Sequence, residues 1–488
     1  MYYLYTMRHS DFFNIRKIKY RAALSALIFL AFFHIQAVTS FADTVDYQAE
    51  ADARKELPIQ SNSTSGWPEG PAIGAEAAIV MEASTGTILY AKNIHEELYP
   101  ASTTKIMTCL LAVENASLSD KITFSNDAVF SVPRDGSSIG MDVGESITLE
   151  QALYGIMVGS ANEVANAVGE HVSGSIDGFV NLMNKRATEL GCTNTHFNNT
   201  NGLQDEFHYT SAYDLALIAR AFFDNELLCK VGNTPRYHFT ETTTQPDDFY
   251  LNNKHKLISG EIKYDGIVGG KTGYTDLARE TLVTCAERDG VKLICVILKE
   301  ESPAQFTDTV TLFNYGFNNF ASINVADTDK RYMPNDSLFF ESEHDVFGKS
   351  GTILSLNKAS TIILPKTSSI NDTDYSVSYE LSEDDLDTAA NAIAKVSYTY
   401  NGVPIGTALL CYAAQRSNGS YGGSAHTHTT YINVGYILIG AVAFVFIMTI
   451  GSSISSRIAT NRRYSSKSDR LRYRRRKKEF KKGKIKFK

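Results

Sequence analysis

Along residues 75–325 the apolar positions recur with two different periods. The runs 77–81, 87–92, 282–287 and 291–298 are short and apolar, and the last two flank Asp289-Gly290, a hairpin-turn pair; these predict strands. The runs 102–113, 176–190, 211–223 and 308–320 place apolar residues at helical spacing and predict helices. Strands at the two sequence ends of this region, with helices between them, predict an α+β domain in which an antiparallel sheet is flanked by a helical lobe. Ligand clefts form at such interfaces. From 326 to about 411 the pattern changes to short β-rich runs with turns, among them 361–365, 394–400 and 407–412, which predict a small second β domain.

The two ends read differently. Arg16, Lys17, Lys19 and Arg21 precede an apolar run over 22–33, and Ser40-Phe41-Ala42 then offers a small-x-Ala cleavage site, the layout of a secretory signal peptide; a retained anchor is the alternative. Residues 432–450 carry no charge and are about long enough to cross a bilayer. A basic tail with Arg474-Arg475-Arg476-Lys477-Lys478 follows, so the positive-inside tendency places the tail in the cytoplasm and the catalytic region outside. The expected organisation is a signal peptide (1–42), a polar spacer (43–74), a catalytic domain (75–325), a β-rich domain (326–412), a flexible linker (413–430), a transmembrane helix (431–454) and a basic tail (455–488).

Composition changes this picture in two places. The formal net charge of −7 hides a split, because residues 43–456 hold 26 Lys/Arg against 51 Asp/Glu while the tail is strongly basic. So acidic an ectodomain argues against nucleic acid as a partner, and the tail beside an anchor points to lipid headgroups. The six cysteines show no Cys-x-x-Cys pair and no metal spacing; Cys285 and Cys295 flank the expected hairpin turn and can face each other, although buried free thiols are the plainer reading. No metal or other cofactor is expected. His95-Glu96-Glu97 lacks the second histidine of a zinc-protease motif.

Three short motifs carry the chemistry: Ser102-Thr103-Thr104-Lys105, Ser160-Ala161-Asn162 and Lys271-Thr272-Gly273. A serine hydroxyl needs a base within reach. Lys105, three residues on, shares a helix face with Ser102, and burial near a second cation, Lys271, can keep it neutral. Taken alone, Ser102 is more simply a helix cap. Ser160 and Asn162 fall at a junction between two helical stretches, where a hydroxyl can relay a proton and an amide can hold a substrate backbone. The glycines beside Lys271 and Thr272 suit a strand passing close to a ligand, which offers N–H groups for an oxyanion and a cation for a carboxylate. Gly136-Ser137-Ser138-Ile139-Gly140 matches the Gly-x-Ser-x-Gly elbow of another hydrolase class, but the segment before it reads as a loop instead of a buried strand.

In this order the three motifs match the signature of penicillin-interacting serine enzymes, with Ala161 in place of aspartate. The chain resembles the penicillin-binding D-alanyl-D-alanine carboxypeptidases, low-molecular-weight penicillin-binding proteins of β-lactamase/transpeptidase-like fold, from about Ala75 to Cys411. Ala78 to Gly86, Asn201-Gly202-Leu203 and Ser211 to Ala216 also look like that family's landmarks. The resemblance implies that Ser102 is acylated, Lys105 is its base and Ser160 relays a proton. It further implies that Asn162 binds substrate, that Lys271 and Thr272 shape the carboxylate end with Gly273, and that the N–H groups of Ser102 and Tyr274 form the oxyanion hole. It implies a small C-terminal β-sandwich acting as a pedestal or partner module. It implies a membrane-anchored bacterial enzyme acting on peptidoglycan stem peptides ending in D-Ala-D-Ala and trapped by β-lactams. DD-endopeptidase, transpeptidase or β-lactamase activity uses the same residues, and a weakly active penicillin-binding scaffold is the non-enzymatic alternative. Gln305, where many relatives carry arginine, and Asn253-Lys254-His255, where some carry arginine between asparagines, depart from the pattern and bear on carboxylate affinity.

Overall fold

The computed structural model describes residues 45–329, 331 and 354–412, all within one compact unit, Met1–Gln415. The central sheet has five antiparallel strands in the order β2-β1-β9-β8-β7, formed by β1 (Ala77–Glu82), β2 (Ile88–Lys92), β7 (Ile267–Thr275), β8 (Arg279–Arg288) and β9 (Val291–Glu300). Strands β1 and β9 and the middle of β8 are apolar at most positions because both faces are covered. Alternation divides their side chains between two cores. Ile79, Met81, Val283, Cys285, Ile294 and Val296 pack against the helical lobe, whereas Ala78, Val80, Leu282, Ala286, Leu293 and Cys295 pack against the C-terminal helix and β region. Cys285 pairs in register with Ile294, and Cys295 with Thr284. The two cysteines therefore point to opposite faces, and all six cysteines are free thiols.

The helical lobe is built from Lys105–Asn115, Leu149–Met157, Asn162–Ser173, Ile176–Glu189 and Ala212–Phe223. Their starts are written in the sequence: Thr148, Ser175 and Ser211 each accept a backbone N–H of the first turn, and Thr148 with Gln151 forms a capping box. Two short hairpins, β3 (Lys121–Thr123) with β4 (Ser146–Thr148) and β5 (Arg236–Phe239) with β6 (Phe249–Asn252), complete the lobe.

Two boundaries differ from the sequence expectation. The last helix of the catalytic region runs Ala304–Asn319, and the chain then turns directly into β10 (Phe320–Asn324), which pairs with β12 (Thr361–Pro365). The expected helix over 308–320 and the domain boundary at 326 thus misplace a strand that belongs to the C-terminal region. There, β11 (Leu354–Leu356), β13 (Asp374–Ser378), β14 (Ala392–Tyr400) and β15 (Val403–Tyr412) form a sheet in the order β11-β15-β14-β13. Residues 45–74, expected to be a polar spacer, are folded. Asp46 caps a helix, Tyr47–Arg54; Arg54 is buried and donates to Gly74 O; and Trp67 is buried with its indole N–H on Leu89 O. The expected signal segment and the span at 432–450 lie outside the described residues. Among the described residues, no helix is long and apolar enough to cross a membrane.

Candidate active site

Ser102 sits on a tight 3-10 turn, Ala101–Thr104, and the α-helix begins only at Lys105. In a 3-10 turn residues i and i+3 eclipse, so Lys105 is brought over Ser102 more directly than an α-turn would bring it. The turn is pinned from below: Pro100 O accepts the Thr103 and Thr281 hydroxyls. It is also approached closely by two glycines. A Cβ on Gly202 would collide with Ala101 O, and one on Gly273 would lie 2.8 Å from the Ser102 amide nitrogen and 2.4 Å from Thr281 Oγ1. Gly273 is therefore required for β7, the edge strand of the sheet, to run against the nucleophile's own backbone.

Lys105 is fully buried. Its Nζ lies 2.7 Å from Asn162 Oδ1, 3.0 Å from Ser102 Oγ and in hydrogen-bond contact with Asn201 O. Burial first, and then the charge of Lys271, hold its pKa well below that of an ordinary lysine. A neutral amine has two N–H groups and one lone pair. Asn162 Oδ1 and Asn201 O can only accept, so they take both N–H groups, and the lone pair is left for the Ser102 hydroxyl proton. That is the arrangement a general base requires.

Across the cleft Lys271, also buried, donates to Ser160 Oγ at 3.0 Å and to Thr272 O at 2.8 Å. Burial, then the neighbouring charge of Lys254, pushes its pKa down to about 7. Ser160 has a positive φ of 58° and lies between the helices Leu149–Met157 and Asn162–Ser173, so the junction expected from the sequence is present and aims its hydroxyl at Lys271. Alternation along β7 puts Lys271 and Gly273 on the side of the two serines. Thr272 is half-buried, and the side chain of Tyr274 is exposed. Hydrogen bonds and close approach thus bring together Ser102, Lys105, Ser160, Asn162, Lys271 and Gly273, while Thr272 and Tyr274 lie next to them along β7.

Two supporting residues were not singled out as site residues. Asn166, one helical turn beyond Asn162, accepts from the Thr200 hydroxyl and from Asn201 Nδ2, which fixes the carbonyl that Lys105 uses. His208 Nδ1 accepts the N–H groups of Asn198 and Asn199, so its Nε2 carries the proton and donates to Thr104 Oγ1 at 2.8 Å. Burial lowers the His208 pKa to about 3, so it is a neutral strut behind the nucleophile turn. The only sequence signal for Asn166 was two asparagines four apart on an otherwise apolar helix face; for His208 there was none. The alternative elbow serine, Ser138, is tied to Glu163 Oε1 at 2.8 Å, and no strand leads into it as that elbow requires. Gln305 is buried in the first turn of the helix Ala304–Asn319. His255 is buried on Thr284 while Lys254 is exposed.

Residues 64–302 match the D-alanyl-D-alanine carboxypeptidase family. The D-alanyl-D-alanine carboxypeptidase DacF of Bacillus subtilis is 37% identical over 252 residues, 50% of this chain but 63% of DacF, so the match spans less than two thirds of that relative. The D-alanyl-D-alanine carboxypeptidase of Streptomyces sp. (strain K15) is 32% identical over 258 residues, 51% of this chain and 88% of that protein. The crystal structure of the Streptomyces K15 DD-transpeptidase aligns at 31% identity with a TM-score of 0.49, covering 51% of this chain and all of that one. With the three motifs assembled in one cleft and a relative covered over most of its length, this chain belongs to the D-alanyl-D-alanine carboxypeptidase family.

Proposed function

We propose that this protein removes the terminal D-alanine from peptidoglycan stem peptides through an acyl-enzyme on Ser102, and that β-lactams are trapped as the same ester. The observation that carries this reading is the fully buried Lys105, its pKa held well below that of an ordinary lysine, with Nζ 3.0 Å from Ser102 Oγ. Ser102 gives its proton to Lys105 as Oγ adds to the carbonyl of the penultimate D-alanine. The oxyanion is met by the N–H groups of Ser102 and Tyr274, aimed along the edge strand. Collapse breaks the C–N bond, and the proton that Lys105 took reaches the leaving amine through Ser160, backed by Lys271, which returns Lys105 to its neutral form. Water, with Lys105 again as base, then hydrolyses the ester and frees Ser102. Asn162 orients the substrate backbone. Thr272 and the Lys271 charge, with exposed Lys254 near the same end, receive the terminal carboxylate. A labelled penicillin should mark Ser102 alone, and Ser102→Ala should abolish both labelling and D-alanine release while Ser138→Ala keeps both. Label that persists in the Ser102 variant overturns the assignment.

We further propose that the catalytic region is extracytoplasmic on a bacterial membrane, held by a single span at 432–450 with the basic tail inside against lipid headgroups, after removal of a signal peptide. The sequence asymmetry supports this: an uncharged stretch of spanning length directly precedes the basic tail. A chain stopped near Gly419 should be secreted, soluble and active. A truncated product that stays membrane-bound favours a retained N-terminal helix.

A further inference from the structure

The family match begins at residue 64, yet the helix Tyr47–Arg54 lies ahead of it and reaches the rim of the cleft. Its agent is Arg279, which follows the three-residue turn joining β7 to β8 and pairs with Thr275 across it. Arg279 has a positive φ of 54°, an uncommon conformation for a residue with a side chain. Its guanidinium is engaged on every side. Nε and Nη2 form a fork on Glu301 at 2.9 and 2.7 Å, Nη1 donates to the Tyr274 hydroxyl at 3.2 Å, and the plane lies 3.8 Å from the centroid of the Tyr47 ring. Glu301 in turn lies 3.7 Å from Arg54, at the other end of the same helix. The helix therefore touches both partners of one ion pair, Tyr47 the cation and Arg54 the anion.

We infer that the helix Tyr47–Arg54 and Arg279 form a clamp that positions Tyr274 for acylation of Ser102. The inference rests on the proposed function, in which the Tyr274 amide is an oxyanion donor. Arg279 is a positioning residue: it touches the Tyr274 side chain while the reacting atoms lie on the backbone side of the same residue. A cation stacked on a ring, forked on a carboxylate and bonded to a phenol has little freedom, so the phenol and the β7–β8 turn that carries it are held in one place. Without the helix, one face of the guanidinium is open to water and the fork alone must hold it.

The test measures penicillin acylation (binding and bond-forming constants separately) and D-alanine release by the full-length protein carrying Tyr47→Leu, Tyr47→Phe or Arg279→Lys. Tyr47→Leu keeps bulk but removes the π face, and should slow bond formation and kcat by about threefold to tenfold with KM unchanged. Tyr47→Phe keeps the face and should stay within about twofold. Arg279→Lys keeps a charge for Glu301 but loses the fork, and should slow both steps by about tenfold. The clamp is overturned if Tyr47→Leu and Arg279→Lys acylate at the wild-type rate. It is equally overturned if only the fraction of acylatable protein falls, which marks a folding role, or if KM alone rises, which marks direct contact between Arg279 and substrate. A wild type that takes no penicillin on Ser102 defeats the functional reading itself, whereas a wild type that acylates and is matched by its variants defeats the clamp alone.

Discussion

Lys105 and Lys92 are both fully excluded from water, yet their surroundings are opposite. Lys92, at the end of β2, donates to Arg54 O and Ile73 O and lies near Glu300 and Glu76, whose charges favour its ammonium. Burial lowers its pKa only to about 8, so it remains mostly charged at neutral pH. Lys105 meets a neutral amide, a carbonyl and a hydroxyl, and the nearest strong charge is another cation, Lys271. Burial alone therefore does not make a lysine into a base. The sign of the neighbouring charges decides whether it holds the fold as an ion or accepts a proton. Glu300, Glu301 and Asp308 cluster by the N-terminal helix, where burial raises the Glu300 pKa; near Lys105 the buried Glu163 opposes Lys271 more weakly, and among the described residues no carboxylate hydrogen-bonds either lysine of the cleft.

The contrast is broken most severely by giving Lys105 a charge it cannot lose. Lys105→Arg should lower the acylation rate by at least about a hundredfold, at or beyond the lower end of what a general base contributes. A loss of only about tenfold would place the base elsewhere. The matching change at Lys92 should act on the fold instead. Lys92→Met leaves the buried Ile73 O unpaired, while Arg54 O keeps the Leu57 N–H, and should cost about 1–3 kcal/mol in unfolding measurements, with acylation per active molecule within about tenfold of wild type, the scale of the rim clamp.

Acid should separate fold from chemistry further. His208 and His255 are buried and neutral, with pKa values lowered to about 3 from an ordinary 6.5. The unfolded chain binds protons there that the folded one refuses, so their contribution to stability is complete above about pH 6.5 and is lost as the pH falls toward about 3. Denaturant midpoints should therefore drop across that window, and His208→Gln should flatten the drop. A midpoint unchanged between pH 6.5 and 4 would mean that His208 is solvated.

The cleft was more legible than its supports, for a physical reason. Catalysis needs particular atoms at short chain spacings, so Ser102 with Lys105, Ser160 with Asn162, and Lys271 with Thr272 stand out in a one-dimensional string. The strands β1, β8 and β9 were visible as apolar runs because both their faces are buried. What holds the cleft together is distant in sequence. His208 reaches Thr104 across 104 residues, and a lone histidine in a polar loop carries no local mark. Residues 45–74 are polar enough to read as a spacer, because their anchoring runs to residues distant in sequence: Trp67 donates to Leu89 O, Lys92 donates to Arg54 O and Ile73 O, and the Ala91 N–H donates to Ser61 Oγ. The expected helix ran one residue into the strand Phe320–Asn324, whose remainder fell in the catalytic region, because no glycine or proline separates helix from strand; only pairing with β12 marks it as a strand.

The finest test concerns the second cation. Lys271, with a pKa lowered to about 7, should attract the substrate carboxylate as a cation only while protonated, so kcat/KM should fall as the pH rises through about 7 in the free enzyme. Part of that lowering comes from Lys254, which is exposed and makes none of the cleft's hydrogen bonds among the described residues. Lys254→Ala removes a like charge, favours the ammonium of Lys271, and should move the alkaline limb to higher pH. Because Lys254 faces solvent, its influence is screened by salt, so added salt should shift the limb in the same direction in the wild type and shift it less in the variant. Loss of the carboxylate's second cation is expected to raise KM at low pH, which separates binding from titration. An alkaline limb that stays in place in Lys254→Ala would leave burial alone as the cause of the depressed Lys271, and the comparison with Lys105 would then rest on desolvation and not on the sign of neighbouring charge.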